Sequence, residues 1–129
     1  MTKDEYNQLS SDIIAAAIEV HKQMGPGLLE SIYEQCLVFE LEERGLTVES
    51  QIHLPLIYKG HQLSKDFIID LLVENEIVVE LKAIEEVHPV HEVQLVTYLK
   101  LANKKLGLLI NFNVPVLRDG IIRRINGYL

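Results

Sequence analysis

The chain of 129 residues holds a single cysteine, Cys36, so it can form no internal disulfide and no cysteine-rich metal site. It has no apolar run near the roughly 18–20 residues needed to span a bilayer. The opening MTKDEYNQLSSD is polar and acidic, unlike a signal peptide. A soluble, cytoplasmic protein without membrane association is expected. There are no internal repeats and no low-complexity linker, and the length suits one domain, residues 1–129, with a core of its own. Positive charge is also scarce: 12 Lys and Arg stand against 19 Asp and Glu, a net charge of −7. The imbalance is local. Residues 1–50 carry ten acids and three bases, whereas residues 51–129 carry nine of each. Phosphate contacts supply most non-specific affinity for nucleic acid, so such a chain is a poor default binder of polyanions.

Apolar residues make up 48% of the chain, enough for an ordinary globular core. SSDIIAAAIEVHKQMG has a Ser/Asp start signal and apolar residues at Ile13, Ile14, Ala17, Ile18 and Met24, which predicts an amphipathic helix ending at Gly25-Pro26-Gly27. LLESIYEQCLVFELEERG places Leu29, Ile32, Tyr33, Cys36, Leu37 and Leu41 at helical spacing before Gly45, a natural C-cap. The period then changes. TVESQIHLPLIYKG alternates and is broken by Pro55, while DFIIDLLV and IVVELKA are nearly all apolar; these predict three strands, with turns at Lys59-Gly60 and near Glu74-Asn75. Helical spacing returns in PVHEVQLVTYLKLANKKLG, with Pro89 in the first turn. LGLLINF reads as a short strand, and VLRDGIIRRI as a terminal hairpin or strand-turn-strand with Asp119-Gly120 in the turn. The order α-α-β-β-β-α-β-(β) predicts an α/β fold: a mixed sheet flanked by helices on both faces, with one right-handed parallel crossover.

Within IVVELKA, alternation puts Val78, Glu80 and Lys82 on one face and Ile77, Val79, Leu81 and Ala83 on the other. Charges in a strand that reads as buried need a partner, because burying them otherwise costs several kcal/mol. Inside the apolar run of the preceding strand, after Asp66 at its start, the single charge is Asp70. A three-residue loop, Glu74-Asn75-Glu76, would pair Val73 with Ile77 and set Asp70 opposite Glu80, with side chains about 5 Å apart. A two-residue loop would set Asp70 opposite Val79, since a slip of one residue flips every side chain. In the first register two carboxylates repel unless a cation lies between them, and Mg²⁺ often takes only one or two carboxylates plus waters. Lys82 could then orient or deprotonate an attacking water, or stabilise a pentacoordinate phosphate. An Asp–Lys–Glu ion cluster on a partly exposed sheet face would account for the same residues.

Asp70, nine intervening residues and Glu80-Leu81-Lys82 resemble the D…(D/E)xK signature of the PD-(D/E)XK nuclease superfamily. The helix-first order resembles that superfamily's restriction-endonuclease-like α-β-β-β-α-β core with one extra N-terminal helix. GLLESIY, Gly27 to Tyr33, fits the motif of the GxxExxY protein family, a group assigned to that superfamily. The resemblance implies a metal-dependent nuclease that hydrolyses DNA or RNA with Mg²⁺ or Mn²⁺. It implies Asp70 and Glu80 as metal ligands, Lys82 as the catalytic lysine, and Glu30 as a further acid turned toward the metal. Gln94 and Tyr98 resemble the Gln-x-x-x-Tyr of the RecB-like branch, where that pair supports the site. The strict Pro-Asp is absent, since Ile69 precedes Asp70.

Helical spacing is compatible with these roles: Glu30 and Tyr33 are three apart, and His91, Gln94 and Tyr98 can face one cleft. Structural readings stand beside them. Glu30 fits a solvated acid that complements its helix dipole, Tyr33 a core residue with a hydrogen-bonded hydroxyl, and Gln94 and Tyr98 an ordinary helix face. His91 fits a surface histidine and Cys36 a small buried hydrophobe; His21, His53, His61 and His88 show no ligand spacing. Lys100, Lys104, Arg123 and Arg124, with Lys105 and Arg118, are candidate phosphate contacts or simply solvated charges. The acidic balance is reconciled with a nucleic-acid substrate if the protein is a homodimer that combines basic edges, or if it acts on short or structured nucleic acid. Two further readings follow from it: a binding or scaffold module without turnover, and a hydrolase of a small phosphate ester.

Overall fold

The computed structural model describes all residues, 1–129. Helix α1 (Lys3–Met24) and helix α2 (Glu30–Glu43) lead into three strands, β1 (Val48–Tyr58), β2 (His61–Val73) and β3 (Ile77–Lys82). Helix α3 (Pro89–Ala102), strand β4 (Leu106–Asn111), a 3-10 turn (Leu117–Gly120) and strand β5 (Ile121–Ile125) complete the chain. The sheet runs β1-β2-β3-β4-β5; only β3 and β4 are parallel, joined through α3. The predicted α/β architecture, a five-stranded mixed sheet with three helices, is therefore what the chain adopts, and it agrees with a restriction-endonuclease-like fold.

Two cores result. Leu71, Val73, Val79, Leu81, Leu108 and Ile110 pack under α1 and α2 through Ile13, Ala17, Tyr33, Leu37 and Leu41. Val78, Leu72 and Leu109 pack on the opposite face under Leu95, Tyr98 and Leu99 of α3. Strand β3, buried along nearly its whole length, lies between them, which explains its continuous apolar run.

Several local expectations are corrected. Helix α1 starts at Lys3, not at the Ser10-Ser11-Asp12 signal. The Thr2 hydroxyl accepts the Glu5 N–H at 3.1 Å and the Glu5 carboxylate accepts the Thr2 N–H at 2.9 Å, a capping box that outranks the later signal. Tyr6 and Leu9 extend the buried stripe backward, and Ser10 is itself buried. Strand β1 continues through Pro55, which an edge strand tolerates, and the β1–β2 register shifts between Pro55 and Ile57. Strand β2 begins at His61, five residues before the apolar segment from Asp66. The C-terminal hairpin does not form. Asp119-Gly120 belongs to the 3-10 turn, and β5 pairs antiparallel with β4. Gly120 permits this packing because a Cβ there would stand 2.2 Å from the Asn111 carbonyl oxygen. Cys36 is half-buried and lines a surface groove between α1 and α2 with Met24 and Phe39.

Candidate active site

The loop joining β2 to β3 has three residues, Glu74, Asn75 and Glu76, two of them in the left-handed backbone region. Val73 pairs with Ile77, Leu72 with Val78 and Leu71 with Val79. Asp70 and Glu80 come next in that register, and there the ladder changes character. The Asp70 N–H donates to Glu80 Oε1 at 3.2 Å, and the Leu81 N–H donates to Asp70 Oδ2 at 2.8 Å. Each carboxylate has taken the place of a backbone carbonyl.

The strands also change face at this point. Leu71 and Val73 belong to the α1/α2 core, yet Ile69 and Phe67 belong to the α3 side, where alternation from Leu71 would not put them. Strand β1 does the same between Val48 and Ile52, and the residue between their pairs, Gln51, has φ 52°. Asp70 stands opposite Gln51 at this double crossover. It lines a cleft of about 370 Å³ with Glu30, Ser31, Glu34, Gln51 and Leu81. Glu80 keeps the regular alternation of β3, on the α3 side with Val78, and Lys82 follows on that side.

Asp70 therefore links two acids that reach it from opposite sides. Glu80 is only 6% exposed, and its carboxyl is pushed up to about 9, first by burial and then by the Asp70 charge, with Lys82 acting in the other direction. Glu30 is raised by partial burial and then by Asp70, again opposed by Lys82. Asp70 and Lys82 are common to both environments, while Glu30 and Glu80 do not perturb one another. The three acids are near each other but form no ligand cage: no three His, Cys, Asp or Glu side chains are grouped to hold a metal ion. The opposed pair alone supplies hard oxygen donors in the number that a water-retaining Mg²⁺ uses, and a carboxyl kept protonated by burial and then by its neighbour's charge is a group that a cation would relieve.

Gln94 and Tyr98 come to this place from α3. Gln94 Nε2 donates to the Tyr98 hydroxyl at 3.0 Å, and Tyr98 is raised by burial and then by Glu80 and Asp70. Phe67 meets the Tyr98 ring edge-on, with centroids 6.1 Å apart, and closes that side.

Other expected site residues have different work. Tyr33 is wholly buried and stacks on Phe112 at 4.4 Å. Its hydroxyl donates to the Gly25 carbonyl at 2.5 Å and accepts from the Leu28 N–H at 3.1 Å, away from the carboxylates. It fixes the Gly25–Leu29 turn, so it acts on the site only by setting where α2, and Glu30 in its first turn, begins. His91 Nδ1 accepts the His88 N–H at 3.0 Å and helps cap α3, because a helix start leaves its N–H groups unpaired. Three of the four expected phosphate contacts are engaged within the chain. Lys104 donates to the Asn75 carbonyl at 3.0 Å, Arg123 to Asn7 at 2.6 Å, and Arg124 to Glu92 at 2.5 Å. Asn75 precedes β3 and Lys82 ends it, so Lys104 lies at the far end of the sheet. Lys100 is exposed near the same helix end.

Sequence reasoning passed over two residues. Gln51, which donates to Glu34 at 2.6 Å, gave no signal beyond a polar residue in an alternating strand. Asn111 is 2% exposed; its Oδ1 accepts the Ile84 and Asn113 N–H groups, and its amide donates to the Ile84 carbonyl. It ties the chain leaving Lys82 to the end of β4. A polar residue closing the apolar run LGLLINF was the available clue.

No curated protein and no solved structure matched the chain. Residues 7–125 match the sequence model of the PD-(D/E)XK nuclease superfamily, a span that contains the whole sheet, all but the first turn of α1, and every acid of the cleft. PD-(D/E)XK nucleases generally use divalent metals, and on this match the chain belongs to the PD-(D/E)XK nuclease superfamily.

Proposed function

We propose that the protein is a divalent-metal-dependent nuclease that hydrolyses a phosphodiester by attack of water on phosphorus, and that it falls in the GxxExxY group of the superfamily through Gly27–Tyr33. The observation that carries the reading is the opposed Asp70–Glu80 pair, Glu80 buried and Asp70 half-buried at the cleft, with no cation near it except Lys82. A fold with no use for this pair would gain by replacing it with apolar residues, since a buried acid held against another is a cost to stability.

Asp70 and Glu80 would hold the ion, Mg²⁺ or Mn²⁺, while Glu30 reaches Asp70 from the α2 side, opposite Glu80. The bound ion supplies the positive charge that activates water and stabilises charge developing on the phosphoryl group. The Lys82 ammonium orients the attacking water and faces the same developing charge. The Leu81 N–H holds the Asp70 carboxylate in place, and the Asp70 N–H holds that of Glu80. Gln94 donates to the Tyr98 oxygen and keeps that ring against the carboxylates' α3 side.

A second reading, hydrolysis of a small phosphate ester, is favoured by one observation: Lys104, Arg123 and Arg124 are engaged internally and do not face the cleft. Calorimetry with Mg²⁺ and Mn²⁺, on wild type, Asp70→Ala and Glu80→Ala, followed by cleavage assays on DNA, RNA and mononucleotides, separates these. Metal binding lost in both variants together with metal-dependent cleavage of a polymer supports the nuclease; turnover of mononucleotides alone supports the second reading. Absence of specific metal binding by wild type sinks both and leaves a binding module.

A further inference from the structure

Strands β1 and β2 extend well beyond the rest of the sheet. The β2–β3 ladder ends at Leu71, but β2 runs back to His61, paired only with β1. From Asp70 to the turn at Lys59-Gly60 the arm spans roughly 30 Å at about 3.3 Å per residue. Residues 57–66 are exposed throughout, with Tyr58 60% and Leu63 45% accessible. A two-stranded ribbon standing alone in water is marginal and calls for a partner.

Its two faces differ. The arm's single acid, Asp66, pairs with His53 at 3.2 Å on one face. By alternation from Leu54, which packs on the α3 side, the other face carries Leu56 and Tyr58, with His61 paired to Tyr58; Leu63 and Lys65 stand in the register shift between the Pro55–Asp66 and Ile57–Gln62 pairs, and there is no acid among these residues. Lys59 Nζ lies 5.6 Å over the Tyr58 ring. This acid-free face is on the same side of the sheet as Glu80 and Lys82. A second copy adding its strand to the β1 edge of the arm is disfavoured, because that edge is interrupted by Pro55 and a register shift, both of which blunt edge pairing; the β2 edge before Leu71 is open, and sedimentation tests it.

We propose that the β1–β2 arm is the substrate grip of this site: a ribbon that lies against a duplex nucleic acid, with Lys59 and Lys65 on its phosphates and Tyr58 and Leu63 against its groove. The proposal rests on the nuclease reading above. A two-stranded ribbon fits a major groove about 12 Å wide. Lys65 lies five residues from Asp70, so it meets the backbone roughly 16 Å from the scissile phosphate. The arm supplies the local cations that the acidic helical layer lacks.

The test uses the full chain in an Asp70→Asn background, which binds without cutting, and a short labelled DNA duplex, the matching RNA duplex and the single strands. Lys59→Ala with Lys65→Ala should weaken duplex binding about tenfold and lower the slope of log affinity against log salt by about two. Lys22→Ala on α1 should change neither. The proposal is overturned if the slope is unmoved, if single strands and duplex lose affinity equally, or if the arm variants instead convert a dimer to a monomer by sedimentation. Metal-dependent cleavage that survives with duplex binding unchanged removes the arm and keeps the nuclease. Duplex binding through the arm without cleavage by wild type removes the nuclease and keeps the arm.

Discussion

Asp70 and Glu80 confront one another across β2 and β3, yet each is held by a backbone N–H: Glu80 Oε1 accepts from Asp70 at 3.2 Å and Asp70 Oδ2 from Leu81 at 2.8 Å. The pair is thus built into the end of a ladder instead of resting on a surface. Its acids are oriented before any ion arrives, and until then burial and the Asp70 charge keep Glu80 protonated.

The first consequence is a pH dependence of stability. Without a cation Glu80 keeps its proton up to about 9 in the folded chain, against 4.5 for an ordinary glutamate. The folded state then binds more protons than the unfolded one between those values. Its contribution to stability is complete below 4.5 and is lost as pH rises through about 9. Urea unfolding in chelator should show a loss on the order of a few kcal/mol across that range. Glu80→Gln should flatten the curve, and a wild-type curve already flat would refute the assignment.

Metal binding should release protons, because Glu80 must ionise to become a ligand. Affinity for Mg²⁺ or Mn²⁺ should therefore rise with pH up to about 9. Calorimetry in buffers of different ionisation enthalpy reads the proton count directly. An affinity independent of pH would mean that Glu80 is not a ligand.

Lys82→Met should leave metal affinity within about twofold and reduce cleavage by roughly a hundredfold or more, the scale of losing one preorganised electrostatic group. Parallel titration and single-turnover cleavage separate the two effects. Equal loss of both would assign Lys82 to holding the acids together and not to the chemical step.

Tyr33→Phe removes the hydroxyl that joins Gly25 and Leu28. A cost of about 1–3 kcal/mol in stability is expected, with the Phe112 stacking retained. Metal affinity should fall only modestly, through a looser start of α2 at Glu30. Collapse of metal binding with stability unchanged would instead place Tyr33 in the site itself.

Asn111→Ala strands the backbone groups of Ile84 and Asn113 that its side chain satisfies. Each buried group left unpaired costs about 1–3 kcal/mol, so thermal unfolding should move down by several degrees. An unchanged midpoint would show that water replaces the amide without penalty.

Much of the fold was legible because period and burial agree. The continuous apolar run of β3 could lie only inside a sheet covered on both faces, and within Val73-Glu74-Asn75-Glu76-Ile77 the clue to the longer loop was Asn75, whose left-handed backbone closes the turn. Terminal features were less legible. Thr2 and Glu5 formed a cap ahead of the stronger-looking Ser-Ser-Asp, and Asp119-Gly120 was drawn into a 3-10 turn by Leu117, which is buried in the α1/α2 core.

The sequence by itself narrowed Asp70 to two registers, opposite Glu80 or opposite Val79, since loop length and strand alternation are local properties of backbone geometry; the folded loop of three residues selected the first. The sequence could not determine where those acids point relative to α2 and α3. That was decided by the face change at Gln51 and Asp70, and by the long-range packing of Tyr33 against Phe112 that sets where Glu30 begins its helix. Nor could it decide which cations remain free, because Lys104, Arg123 and Arg124 meet partners 29, 116 and 32 residues away in the chain. Local chemistry is written in short stretches; the electrostatic environment of a site is assembled from contacts that only the folded chain brings within reach.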